Sequence, residues 1–344
     1  MRVGAKNLIL GSYSFFLSVC YIPVFHSGST TVRQVYLTLT TPILVWLFKP
    51  NKFTSLHLIG LIFLIWCSIS LFWSFNLLDS IDSLIYWLIL TYVFILGSKV
   101  ENIAPIFIGL ALGLSLNIFN LPTGLFVNPN VLAETSLLVI IGLIIYQQWW
   151  FIPILSINVI VPSSRGVFVA ALITLLVWLW NKSKLASLGI LISLFGISGV
   201  LYYFDYKLGS AIERLHLWND TFNGVTFLGQ GVGTYHSAYP YFAELIDTFK
   251  YRPKQAHNDY LQVLFELGLP GLMMMLGFIY LTMKINKNEK YILIAFLIMA
   301  CFSFPLYMPV SAFIFAIVAG HMSRNLGDVF DTSNVGRVPN LSRI

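Results

Sequence analysis

Long apolar runs separated by short polar corners fill most of the chain. About a dozen of these runs predict helices, although several are shorter than the roughly 20 residues that a straight membrane span needs. The predicted helices cover residues 7–25, 35–48, 56–73, 81–96, 103–119, 131–146, 149–161, 167–180, 185–204, 261–283, 291–307 and 309–321. The pattern therefore predicts an all-α, polytopic membrane bundle of about 12 transmembrane helices.

One long polar segment, residues 205–257, interrupts this pattern between two apolar runs. We expect it to form a single large loop outside the membrane, because polar groups are costly in hydrocarbon. Residues 1–321 then make one transmembrane domain that includes any catalytic site. Residues 322–344 are polar and without periodicity, and we expect a disordered cytoplasmic tail there.

Composition agrees with a membrane protein. Of the 344 residues, 58% are hydrophobic and 10% are charged, whereas a soluble domain carries about 25% charged residues. The net charge of +6 is explained by membrane topology rather than by nucleic-acid binding, since basic residues gather in short corners. The cysteines Cys20, Cys67 and Cys301 lie within apolar runs and lack metal-site spacing, so no disulfide framework and no zinc site is expected.

The basic corners set the predicted orientation. When each predicted span is counted once, these corners fall on the same side as both termini, which the positive-inside rule assigns to the cytoplasm. The outer side then holds Arg33, the corner 128–130, the corner 162–165 and the loop 205–257. The basic corners lie at residues 49–52, 99, 182–184 and 284–290.

Arginine is disfavoured on the outer side of a membrane, so each one there needs an explanation. Arg165 opens the predicted helix 167–180 and follows Pro162, Ser163 and Ser164. A serine N-cap and the free N–H groups of a helix start, placed beside a guanidinium, favour a phosphate site. An arginine that snorkels to the lipid headgroups is an equally good explanation from the sequence alone.

A second group of outer cations lies in the long loop. Arg214 is part of AIERLHLWND, an amphipathic stretch, for which an interfacial helix with a solvated charge is the simpler explanation. Arg252 and Lys254 add a basic patch just before His257. For each of these cations alone, attraction to lipid headgroups is sufficient.

His257 lies at the entrance of the predicted helix 261–283, where Asn258 is the expected N-cap. A lone histidine is more often structural than catalytic. An imidazole at the outer end of a helix is nevertheless well placed as a general base, since its ordinary pKa is about 6.5. Pro270 and its flanking glycines are expected to kink or break this helix. Glu266 falls on the face opposite His257 and is assigned to packing or to hydrogen bonds between helices.

The pattern GQGVG at residues 229–233 is only superficially like a dinucleotide fingerprint, because no strand precedes it. A plain loop turn is the first interpretation. The second is a tight turn that presents backbone N–H groups to a ligand.

Five segments are read together for their order and spacing. They are NPNVLAE (128–134), SSRGVFVA (163–170), ERLHLW (213–218), LGQGVGTYHSAYP (228–240) and HNDYLQVLFELGLPGL (257–272). In this order and spacing they resemble the O-antigen ligase and O-antigen polymerase superfamily of bacterial inner-membrane proteins. The resemblance covers roughly residues 128–272, and the N-terminal helices match in hydropathy only. The last segment is the most specific, with a histidine, an acid and a Gly-x-x-Gly ending.

The resemblance implies that a glycan moves from undecaprenyl diphosphate to an acceptor at the periplasmic face, without a metal ion or other cofactor. It implies that Arg165 and Arg214 bind the diphosphate and that His257 is the general base of an inverting transfer. Substrate-binding roles are expected for Asn258, Arg252, Lys254, Asn130 and Ser164. The expected partners are membrane lipid, the lipid-linked donor, and lipid A–core or another glycan or protein acceptor, with no nucleic acid.

Several functions remain open at this point. A ligase acts on lipid A–core, a polymerase on a second lipid-linked repeat, and a protein O-oligosaccharyltransferase on exported proteins; we favour the ligase. A transporter or flippase belongs to a different class and predicts related halves and ionisable residues at mid-membrane. The single large loop and the position of the charges disfavour it.

Overall fold

The computed structural model describes residues 3–19, 28–48, 53–120, 126, 128–162, 164–184, 209–243, 253–324 and 326. Within these ranges all regular structure is helical and no strand is present, which confirms the predicted all-α class. Three helical stretches of this part of the chain are long and apolar enough to cross a membrane, namely Ser55–Trp73, Leu77–Lys99 and Asp259–Met283. Six shorter apolar helices accompany them, as expected of a helical membrane protein.

Thirteen α-helices are present in the described residues. In chain order they are α1 (Val3–Val19), α2 (Gly28–Leu47), α3 (Ser55–Ile69), α4 (Leu77–Lys99), α5 (Ala104–Ser115), α6 (Pro129–Ile145), α7 (Ile152–Ile160), α8 (Arg165–Trp180), α9 (Gly209–Asn223), α10 (Tyr235–Ala238), α11 (Asp259–Met283), α12 (Lys290–Ala300) and α13 (Pro309–Ser323).

Most predicted helices coincide with these elements to within about four residues, and two boundaries differ by seven. Helix α2 begins at Gly28 rather than at residue 35, since its first turns are polar, and Arg33 in these turns is buried. The predicted helix 291–307 ends at Ala300, and a turn with a short 3₁₀ segment at Pro305–Tyr307 follows. Proline lacks the N–H that would continue the helix. The predicted helix 185–204 and residues 327–344 of the predicted tail lie outside the described residues.

Small residues allow close approach within the bundle. Gly97 of α4 and Gly320 of α13 each face the backbone of the other helix, so closely that any Cβ would collide with it. Gly109 of α5 meets α1 at Gly11 in the same way. Helices in lipid pack through small residues of this kind, because van der Waals contact replaces the hydrophobic drive available in water.

Arg33 is a fully buried cation that joins α2 to the end of α1. Its Nε donates to the carbonyl of Leu17 at 3.2 Å and its Nη2 to the carbonyl of Ser18 at 3.1 Å. The guanidinium also lies 4.0 Å from the ring centre of Phe126. The last carbonyls of a helix lack partners within the helix, so Arg33 has a structural reason for its position.

Two of the basic corners hold neighbouring helix ends together. Lys99 Nζ donates to the carbonyl of Val45 at 2.8 Å, and Lys287 Nζ donates to the carbonyl of His321 at 3.3 Å. These bonds join the end of α4 to α2, and the corner 284–289 to the end of α13. The sequence-based orientation places all of these groups on one side.

Helix α11 is broken at Gly268, where the backbone has φ 66° and ψ −167°. The break falls two residues before Pro270, as the sequence predicts. The Leu269 N–H is not lost, because it donates to the carbonyl of Phe227 at 3.0 Å. Only glycine adopts this backbone region at low cost.

The GQGVG turn donates hydrogen bonds to the residues of α11 just before the break. Gln230 N–H donates to the carbonyl of Phe265 and Gly231 N–H to the carbonyl of Glu266, both at 2.9 Å. Gly233 N–H donates to the Glu266 carboxylate at 2.8 Å. These N–H groups are therefore used within the protein, which favours a structural turn over a turn that presents them to a ligand.

Glu266 and Leu267, just before the break in α11, accept further hydrogen bonds. The Glu266 carboxylate also accepts from Gln262 Nε2 at 2.9 Å and from the Tyr307 hydroxyl at 3.2 Å. The Leu267 carbonyl accepts from the Trp66 indole of α3 at 2.9 Å. Glu266 thus forms hydrogen bonds, but its partners are the GQGVG turn, its own helix and the short 3₁₀ segment rather than another long helix.

Candidate functional site

The turn before His257 is held from two sides. Ala256 N–H donates to Gln262 Oε1 at 2.9 Å, and the Ala256 carbonyl accepts from the Trp218 indole at 2.9 Å. Asn258 caps α11, since its Oδ1 accepts from Leu261 N–H at 3.0 Å. The backbone of His257 has φ 53°, an uncommon conformation for a residue other than glycine. The position of His257 is thus fixed by both α9 and α11.

The His257 side chain is half-buried and packs against Phe304, with ring centres 4.8 Å apart and planes at 76°. Burial, together with the positive charge of Arg214, lowers the pKa of His257 to about 4. Both effects disfavour the imidazolium. The imidazole is therefore neutral at physiological pH and is able to accept a proton.

Arg214 lies on the face of α9 that packs against the turn before His257. The Trp218 indole bonds to the Ala256 carbonyl, and Arg214 lies four residues earlier on the same face of α9. The Arg214 side chain is half-buried. Its charge acts on His257 from α11 and on Glu134 from α6, so three helices contribute to one electrostatic site.

Arg165 is the first residue of α8 and is exposed. The next residue, Gly166, lies beside Phe302, since a Cβ built on it would be 3.9 Å from the Phe302 Cβ. Phe304, two residues further on, contacts His257. Residues 302–306, here called the outer turn, thus lie between the start of α8 and the entrance of α11.

Two buried acids flank the outer turn, and sequence analysis assigned neither of them a role. Glu134 of α6 lies near Ser303, and the Asp259 carboxylate of α11 accepts from Leu306 N–H at 2.9 Å. Among the described residues, Glu134 Oε2 and Asp259 Oδ1 have no hydrogen-bond partner. The sequence feature that could have identified these two acids is a carboxylate within an otherwise apolar helix, because such groups are rare in membrane helices and are often functional.

Four of the five predicted substrate-binding residues are described. Asn258 is the N-cap of α11, and Ser164 occupies the N-cap position of α8 although its hydroxyl makes no capping bond. Asn130 lies one turn before Glu134 on α6. Lys254 is exposed. Arg252 lies outside the described residues.

A cluster suited to a metal ion is not found in the described ranges, where no three His, Cys, Asp or Glu side chains converge as ligands. Metal independence itself stays a prediction.

The arrangement can be compared with known protein families. Residues 136–276 match the family model described as O-antigen ligase. This confirms the resemblance to the O-antigen ligase superfamily. The match covers about two fifths of the chain and includes Arg165, Arg214 and His257. No curated protein matches the chain significantly.

The matched family is one of glycan transfer of the ligase or polymerase type, with a role in polysaccharide biosynthesis at a membrane. Glu134 and the outer turn lie beyond the matched segment.

Proposed function

We propose that the chain is a glycosyltransferase that moves a glycan from undecaprenyl diphosphate to an acceptor at the periplasmic face of the bacterial inner membrane. The observation that carries this proposal is the placement of half-buried His257, whose turn is held between α9 and α11 and which lies within the electrostatic influence of Arg214. A base next to a cation suits a reaction in which an acceptor loses a proton while a diphosphate leaves. The favoured acceptor is lipid A–core, as in an O-antigen ligase.

In the proposed step, the acceptor hydroxyl oxygen attacks the anomeric carbon and the bond from that carbon to the phosphate oxygen breaks. The hydroxyl proton passes to His257. The electron pair of the broken bond stays on the lipid diphosphate, where Arg214 and Arg165 stabilise the developing charge. Direct attack predicts inversion at the anomeric carbon.

Donor binding also prepares the base. The diphosphate carries negative charge, which offsets the effect of Arg214 on the imidazole. We expect the pKa of His257 to rise toward its ordinary value of about 6.5 when the donor is bound. A general base is most effective when its pKa lies near the working pH, so the base becomes stronger only when a donor is present.

The test uses purified protein, a lipid-diphosphate glycan and EDTA, with no ion gradient. Lipid A–core, a second lipid-linked repeat and a pilin peptide are supplied separately as acceptors, and the one that receives glycan distinguishes ligase, polymerase and protein-glycosylating activity. Transfer without a gradient distinguishes an enzyme from a transporter.

Variants test the assigned residues. His257→Ala is expected to lower the rate by about 10²–10⁴-fold, and Arg214→Lys to lower it strongly, because lysine lacks the bidentate fork. His216→Ala is the control, since His216 is exposed on α9 two residues from Arg214. If Arg165→Ala and His257→Ala both keep near wild-type transfer, the proposed mechanism is wrong.

A further inference from the structure

Glu134 is a buried acid for which the fold supplies too few partners. It is 2% exposed, and its Oε2 has no hydrogen-bond partner among the described residues. A carboxylate oxygen that is buried without a donor lowers the stability of the folded protein. Acids within membrane helices are therefore better explained by function than by stability.

Glu134 lies at the same end of the bundle as the candidate site. It is five residues past the start of α6 at Pro129, which is about 7.5 Å along the helix axis. Asn130, one turn earlier on the same face, is half-buried. Ser303 of the outer turn lies near Glu134, and α6 packs against α8, which begins at Arg165.

Arg214 supplies a positive charge close to this carboxylate. Its charge acts on both Glu134 and His257, so the three groups lie close together. Within the described residues, however, Arg214 and Glu134 form no ion pair with each other or with any other side chain. A ligand that suits both groups presents an anion to Arg214 and an O–H or N–H group to Glu134.

A sugar joined to a diphosphate has this combination of groups. Its anomeric carbon carries the diphosphate, and the next ring carbon, C2, carries a hydroxyl or an acylamino group that donates a hydrogen bond. We propose that Glu134 binds the C2 substituent of the donor sugar. The inference rests on the proposed function, which places the diphosphate at Arg214 and the anomeric carbon near His257.

The same contact would assist the reaction. As the bond to the diphosphate breaks, positive charge develops on the sugar ring, and a hydrogen bond from the C2 substituent to a carboxylate becomes stronger. Glu134 would then contribute to the rate as well as to the choice of donor sugar.

The alternative is a carboxylate that only orients Arg214. The two roles differ in what the loss of Glu134 does to binding. If Glu134 orients Arg214, every lipid diphosphate binds less well, with or without a sugar. If Glu134 binds the sugar, a lipid diphosphate without a sugar is unaffected.

Three variants of α6 separate these roles. Glu134→Met removes the carboxylate and keeps an unbranched side chain, whereas Glu134→Gln keeps one acceptor oxygen without the charge. Ser136→Ala is the control, because Ser136 Oγ is also buried and has no partner among the described residues. Glu134→Met should unfold at the wild-type temperature or above it, since an unsatisfied buried group is removed. A clearly lower unfolding temperature would assign Glu134 a structural role.

Binding is measured first, without an acceptor. The probes are polyprenyl diphosphates that carry N-acetylglucosamine, glucose, 2-deoxy-2-fluoroglucose or no sugar, and their affinities are measured in detergent by microscale thermophoresis. Wild-type protein should bind at least one of the first two probes about tenfold or more tighter than the fluoro probe, which lacks the C2 donor group.

Glu134→Met should abolish this preference, Glu134→Gln should reduce it, and Ser136→Ala should keep it. The probe without a sugar should bind equally well to all four proteins. Equal weakening of every probe by Glu134→Met, or a wild-type protein without the preference, would overturn the proposal.

Transfer is measured second, with the preferred donor and the fluoro donor. Glu134→Met is expected to lower kcat/KM for the preferred donor by about tenfold or more and to have a smaller effect on the fluoro donor, because the contact is already absent there. An equal loss with both donors would contradict the assignment. If wild-type protein transfers no glycan to any acceptor while the binding preference depends on Glu134, the proposed function fails and the sugar contact stands.

Discussion

Arg214→Gln is expected to raise the pKa of His257 toward its ordinary value. The pKa is lowered to about 4 by burial first and by the Arg214 charge second, and the variant removes only the second cause. The midpoint should therefore lie above 4 and below about 6.5. Because the folded-state pKa is lowered, the neutral imidazole should persist to lower pH in the wild type than in the variant.

The size of the effect suits a direct assay. At pH 5 a histidine of pKa 4 is about 90% neutral, whereas one of pKa 6.5 is about 3% neutral, so the difference between wild type and variant is at most about 30-fold. Diethylpyrocarbonate modifies the neutral imidazole, so its rate of reaction at His257, followed by mass spectrometry between pH 4 and 8, reports the midpoint. This measurement needs no substrate and refers to the free enzyme.

A matched control removes a different cation of the same loop. Lys254→Gln should leave the midpoint unchanged, because Arg214 is the charge that acts on His257. A wild-type midpoint near 6.5, or an Arg214→Gln midpoint equal to that of the wild type, would refute the electrostatic coupling on which the proposed base depends.

Three further predictions concern the scaffold of the site and are measured by thermal unfolding in detergent. Gly233→Ala should lower the free energy of unfolding by more than the ~1–2 kcal/mol that a left-handed conformation costs a residue with a Cβ, since φ at Gly233 is 74° and the new Cβ would meet the side chain of Ser83. Gly277→Ala is the control and should have little effect, because a Cβ there meets no atom. Glu266→Leu should cost about 3 kcal/mol or more, because three donors lose their acceptor at about 1–3 kcal/mol each. Gly320→Ala should destabilise by pushing α13 away from α4, and an unchanged unfolding temperature would contradict the close crossing described for this pair.

Local features of the site were predictable from the sequence. Asn258 is an N-cap because its short amide side chain follows a loop and precedes an apolar helix. The start of α8 at Arg165 and the break before Pro270 likewise depend on residues within a few positions of each other. Such features need no knowledge of distant parts of the chain.

Features that depend on distant segments were not predictable in the same way. The outer turn meets Glu134 across more than 160 residues of sequence and Asp259 across more than 40. Periodicity shows that these acids lie in apolar helices, but not which segment lies beside them. The same limit applies to the GQGVG turn, whose partner is the broken backbone of α11.

The break at Gly268 has a consequence for how the protein is made. Alone in a bilayer, α11 would leave the carbonyls of Phe265 and Leu267 facing lipid without donors, at a cost of several kcal/mol for each exposed group. Their donors, Gln230 and Trp66, belong to segments that are synthesised earlier. During biogenesis the late helix should therefore settle into the membrane only after the earlier segments have reached their places. Assembly of the candidate site would then be a late event that requires an already formed bundle.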